Sequence, residues 1–173
     1  MKASRTLVLG CLAALCTLFS VPGAVAQTAD TILPATDAAK ILPDAVYFAG
    51  RSATTQLRNA TGVHFADGAY TLAVLVDTSG YSSAIQQKYQ AYLLTGARLD
   101  FAGHQLSPGA YGFGFVANHF VVMDIGSNDL LRVPSTHDAQ LQSPRPLQMV
   151  AGAAPGQYRL CSGRDCVDFH RAR

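Results

Sequence analysis

The chain has 173 residues, 49% of them hydrophobic, a formal net charge of +2 and four cysteines. That length suits one domain with a real core and leaves too little for a comfortable second one. All 11 acidic residues are aspartate; with Lys2 and Arg5 of the leader set aside, an equal number of basic residues remains, which argues against a nucleic-acid or anionic-membrane partner.

Residues 1–26 have the layout of a secretory signal peptide: Lys2 and Arg5, the apolar run TLVLGCLAALCTLF, then SVPGAVAQ. Pro22-Gly23 ends the apolar helix, and Ala24 and Ala26 fit the small subsites of a signal peptidase. Cleavage is therefore expected after Ala26, releasing a periplasmic or secreted chain. The run falls short of the roughly 20 residues of a membrane span. Cys11 and Cys16 raise the rival of a lipoprotein signal. Too few apolar residues precede Cys11, and Leu15 stands before Cys16 where a small residue belongs, so lipidation is not expected.

Residues 27–44, QTADTILPATDAAKILPD, read as a mobile lead-in with at most one short helix between Pro34 and Pro43, capped by Thr36 or Asp37. From Ala45 on, residues 45–173 carry short apolar runs divided by turn residues, the pattern of a single antiparallel all-β domain. Lys40 and Lys88 are the only lysines after the leader, and glutamate is absent, so strong helix formers are scarce. The expected strands are AVYFAG, TTQLR, VHFA, AYTLAVLVD, YQAYLLTG, ARLDFAG, GAYGFGFVA, HFVVMDI, LLRV, PLQMVAG, GQYRLC and CVDFHR. Turns fall at NATG, ADG, SPG, GSND and APG. One internal helix fits SSAIQQKY, capped by Ser82 or Ser83. Val133 to Gln148, VPSTHDAQLQSPRPLQ, reads as a long surface loop, either a plain connection or a lid over a binding site. Either a β-sandwich or a closed β-barrel accommodates these strands.

LAVLVDTSGYSS places Asp77 at the end of an apolar strand, as aspartic proteases do with Asp-Thr-Gly. Ser79 stands where those loops have glycine. VVMDIGSND places Asp124 similarly but follows it with Ile125 instead of a hydroxyl residue. The structural reading is that each aspartate hydrogen-bonds the turn it begins, with Gly80 or Gly126 in the strained conformation. His64, His104, His119, His137 and His170 lack the spacing that puts two imidazoles on one face, so no metal site is expected. Neither a nucleophile elbow nor a cofactor motif is present.

Cys161 and Cys166 flank Ser162-Gly163-Arg164-Asp165 between two strand-like runs, which predicts a disulfide across a hairpin with a four-residue loop. C-x-x-x-x-C is not the usual redox spacing, so the bond is read as structural. The tentative ligand-binding residues are aromatic. Tyr81, Tyr89 and Tyr92 could form a binding rim or cap the edge of the core. Tyr111, Phe113 and Phe115 share one strand face and Gly112 and Gly114 the other; the aromatics either fill the core or line a cavity.

The segment AGHQLSPGAYGFGF is similar to the Gly-x-x-Leu-x-Pro-Gly-x-Tyr hairpin of small exported bacterial β-sandwich domains of uncharacterised function. The resemblance implies a sandwich and assigns no catalytic residue. The expectation is an exported, non-enzymatic binding or envelope-associated module, with a small molecule or an envelope protein as partner. The alternatives are a barrel carrying a small apolar ligand, and an enzyme using Asp77 or Asp124 as acid/base.

Overall fold

The computed structural model describes residues 29–172. The expected signal peptide and cleavage site, with Cys11 and Cys16, lie outside the described residues.

β1 (Thr31–Leu33) runs antiparallel to the far end of β3 (Arg51–His64), with Ile32 opposite Val63. The stretch expected as a lead-in is thus partly an edge strand of the domain, because Ile32 and Leu33 find apolar surface to cover. α1 (Ala35–Ala38) follows, and here too the sequence expectation needs correcting. Pro34 occupies the cap position without a side-chain cap bond, while Asp37 pairs with Lys40 at 2.7 Å. Ala38 and Leu42 pack on Ala60, Leu72 and Val74.

β2 (Ala45–Phe48) turns into β3 through Ala49 and Gly50, at φ 47° and 79°. Two positive φ values in a two-residue loop make a type I′ turn, whose twist matches that of the strands. β3 is one 14-residue strand rather than the expected TTQLR and VHFA divided by a turn at NATG. Its irregularity lies upstream: Thr55 faces Val76, yet Ala60 already faces Val74, and Asn59 Nδ2 donates to Gln56 Oε1 across the bulge. Gly62 serves close approach instead of reversal, since a Cβ there would stand 2.8 Å from the Thr71 carbonyl oxygen.

β4 (Tyr70–Val76), β5 (Ala91–Thr95), β8 (Gly109–Val116), β9 (His119–Met123) and β10 (Asp129–Pro134) extend this sheet in the order β1-β3-β4-β5-β8-β9-β10, with β2 beside β3. The second sheet runs β12 (Gln148–Ala151), β13 (Gln157–Ser162), β14 (Asp165–Arg171), β6 (Leu99–Phe101), β7 (His104–Leu106), with β11 (Thr136–His137) beside β14. Two open antiparallel sheets pack face to face. The fold is a β-sandwich, and the closed-barrel alternative drops out. Val63, Leu93, Phe101, Phe113, Phe120, Leu160 and Phe169 fill the space between the sheets.

The Gly-x-x-Leu-x-Pro-Gly-x-Tyr segment is not one hairpin. Ala102 and Gly103, at φ 52° and 86°, close the β6–β7 turn; Ser107 and Pro108 then carry the chain across to β8 in the other sheet. β7 escapes the sequence reading because only Leu106 of its three residues is buried.

The outer face of the larger sheet carries its own apolar layer. α2 (Ser83–Lys88) lies between β4 and β5, with Ser82 at its cap position but making no side-chain cap bond. Phe48, Tyr81, Tyr89, Val121 and Met123 are buried together there.

Candidate functional site

The two aspartates are occupied by their own turns. Asp77 Oδ1 accepts from the Ser79 backbone N–H at 3.0 Å, and Ser79 holds the carboxyl below its ordinary value. The residue that breaks the protease-like pattern is therefore the one that ties the carboxylate down. Asp124 accepts from the side chain and N–H of Asn128 and from the Gly126 N–H, and these bonds lower its pKa in the same direction. Positive φ falls on Ser127 at 73°, and neither Gly80 nor Gly126 takes it. Among the described residues, no other titratable group contributes to either shift.

The six aromatic candidates do not converge. Tyr111, Phe113 and Phe115 face the space between the sheets, where Phe113 is buried and the other two are partly so. Tyr81, Tyr89 and Tyr92 lie on the opposite face, in the outer apolar layer. Alternation along paired strands imposes this split, since Tyr92 sits opposite Gly112 in the β5–β8 register. Gly112 and Gly114 are bare because protein occupies their space. A Cβ on Gly112 would stand 2.4 Å from the Phe48 ring, and one on Gly114 would stand 2.2 Å from the Lys88 carbonyl oxygen.

Tyr89 is fully buried, stacked on Phe48 at 3.8 Å between centroids, and its hydroxyl has no hydrogen-bond partner among the described residues. An unsatisfied buried hydroxyl costs about 1–3 kcal/mol. Tyr89→Phe is therefore expected to raise stability by about 1 kcal/mol in urea denaturation, and a comparable loss would contradict it. Burial also pushes this phenol well above its ordinary 10.0. The unfolded chain ionises first, so stability is intact below that pH and falls as pH rises past it. The variant should show a shallower alkaline fall.

At the C-terminal hairpin, Cys161 and Cys166 face each other across β13 and β14 and are disulfide-bonded, both fully buried. The loop is shorter than its sequence suggests: Ser162 pairs with Asp165, leaving a two-residue turn with Gly163 at φ 59°. This turn holds the segment that follows β11. Arg164 Nη1 donates to the carbonyls of Asp138, Ala139 and Leu141, the Gly163 N–H donates to the Arg145 carbonyl, and the Asp138 N–H donates to the Arg164 carbonyl. Arg159 adds a second tie, bridging Asp138 and Asp168 at 2.8 Å each. The Pro/Gln/Ser-rich stretch is thus a wall held in place by the hairpin tip.

That wall closes one side of an open cleft of about 370 Å³. The other sides come from β1 and its exit, Ile32 to Ala35, from Ala60 and Thr61 of β3, and from Gln148 to Val150 of β12. β1 and β12 each lie at an end of their sheet, so the cleft occupies a corner where two sheet edges meet. The wall supplies Gln142, Ser143, Arg145 and Leu147. Ser143 holds φ 50°, an uncommon conformation for a residue with a side chain. Gln148 Nε2 is sealed from solvent, with no acceptor among the described residues. Sequence reasoning points at none of these residues individually; the composition of Val133 to Gln148 was the only signal.

The histidines are dispersed. His64 stacks on Tyr70, His119 Nδ1 lies 2.8 Å from the Ala117 carbonyl, and His137 pairs with Asp165 at 2.8 Å. Among the described residues, no three of His, Cys, Asp or Glu are grouped to hold a metal ion, and no helix is long and apolar enough to cross a membrane. Compared with protein-family models, curated proteins and solved structures, the chain matches none.

Proposed function

We propose that the protein is an exported, non-enzymatic binding module of the cell envelope, and that its ligand site is the cleft at the β1–β12 corner. The observation that carries this reading is the sealed Gln148 Nε2, without an acceptor among the described residues, on a residue that lines a cleft whose wall is tied down from outside. Buried polar groups are nearly always satisfied, so an orphaned donor on a residue lining an open cleft marks a place where a ligand can supply the missing acceptor once the amide turns toward it. Export is supported by the leader and by the buried disulfide, which suits an oxidising compartment. An acid/base role for Asp77 or Asp124 is disfavoured because each carboxylate is already committed to the backbone of its own loop.

The test compares solvent extracts of natively purified full-length protein and of Val150→Trp, by mass spectrometry. Val150 is half-buried on the lip of the cleft in an edge strand, where tryptophan is well tolerated and its ring would fill the space. A small molecule carried by the parent and lost from the variant, with unchanged far-UV circular dichroism, is the expected result. Identical extracts from both proteins would refute the site.

A further inference from the structure

We infer that the β1–β12 cleft takes a small monocarboxylate with an apolar stem, received by Arg145 and Gln148; this deepens the binding-module reading and rests on it. The residues bordering the cleft include no aspartate, and glutamate is absent from the chain, so nothing in the lining opposes a negative ligand. Arg145 is the one cation there among the described residues. Its guanidinium has no carboxylate or carbonyl partner among the described residues. Its backbone, by contrast, is fixed: the Arg145 carbonyl accepts from the Gly163 N–H at 3.0 Å, so the charge is presented from an anchored position.

Gln148 contributes the second donor. Its Nε2 is shut away without an acceptor, and a rotamer change toward the cleft would exchange that orphaned state for a charge-assisted bond to a carboxylate oxygen. Ser143 also lines the cleft, on backbone held in the left-handed region, where strain often accompanies a binding role. Around these donors, Ile32, Leu33, Leu147 and Val150 provide apolar walls for a stem. The volume of about 370 Å³ lies at the small end of ligand clefts, which favours a small acid. An extended peptide adding to the β12 edge is a poorer occupant. The Met149 N–H that a new strand would need already donates to Thr61 Oγ1 at 2.9 Å.

The test is calorimetric titration of the full-length protein with sodium octanoate and, separately, with neutral octanamide. Octanoate is expected to bind about tenfold more tightly, the difference one charge-assisted contact makes. Arg145→Gln should lower octanoate affinity to the octanamide level and leave octanamide unchanged. Gln148→Leu should weaken octanoate while raising Tm, which separates a lost contact from a damaged fold. Equal binding of the two probes to the parent protein would overturn the charge inference and leave the cleft standing as a ligand site. Octanoate binding that Val150→Trp does not disturb would overturn both. Absence of octanoate binding would overturn the inference alone, the cleft then being judged by its extracted ligand. The parent comparison needs no variant, so a misfolded substitution does not spare the proposal.

Discussion

Phe48→Ala is expected to destabilise the domain by about 3–5 kcal/mol, the usual cost of deleting a buried aromatic ring. Phe48 is fully buried on the outer face of the larger sheet, stacked on Tyr89 and set edge-on to Tyr81 at 6.3 Å. Tyr81 depends on the same place, because its hydroxyl donates toward the carbonyls of Phe48 and Arg51 at 3.1 Å. Gly112 lies directly beneath the ring, so the two positions should couple. Gly112→Val alone would drive a side chain into the Phe48 ring and to 2.9 Å from the Tyr89 ring, yet in the Phe48→Ala background the first clash is gone and the vacated space can take the side chain. The double variant should lose at least about 1 kcal/mol less than the sum of the singles. Strict additivity in urea melts would show that the ring and the glycine do not share that space.

Gly114→Ala is the second large effect, about 3 kcal/mol, at the upper end of overpacking costs. The obstacle here is backbone: the added methyl would stand 2.2 Å from the Lys88 carbonyl oxygen and 3.0 Å from the Gln90 side-chain carbon. Gln90 cannot simply step aside. Its Oε1 accepts from the Phe115 N–H at 3.0 Å and its Nε2 donates to the Phe115 carbonyl at 3.1 Å, so moving it would unpair both. Gly80→Ala is the matched control, since its Cβ would meet nothing closer than an Arg51 guanidinium nitrogen at 3.9 Å. It should change stability by less than about 0.5 kcal/mol. Similar urea midpoints for the two alanine variants would refute the close approach of α2 to β8.

Residue pattern alone identified most of the strands and several of the turns, but it missed β1, β7 and β11 and divided β3 in two. GAYGFGFVA, HFVVMDI, GQYRLC and CVDFHR alternate or run apolar over strand lengths, and period-two geometry needs nothing distant to produce them. The Cys161–Cys166 bond was legible for the same reason, because two strands joined by so few residues must bring those positions together. NATG misled because glycine and asparagine suit both a reversal and a crowded strand. Only the backbone of β4 beside Gly62 decides between them.

By itself, then, the sequence determined an antiparallel β domain closed near its end by a disulfide, through local periodicity and short-range chain reversal. Sandwich over barrel, the opposite faces taken by Tyr92 and Phe113, and the corner cleft were decided only by the tertiary structure. The cleft joins Ile32 to Val150 and Thr61 to Met149, residues far apart along the chain, and its Gln148 donor is orphaned only once the surrounding elements close over it. Such a site has no local pattern, because what creates it is the packing of one sheet edge against another.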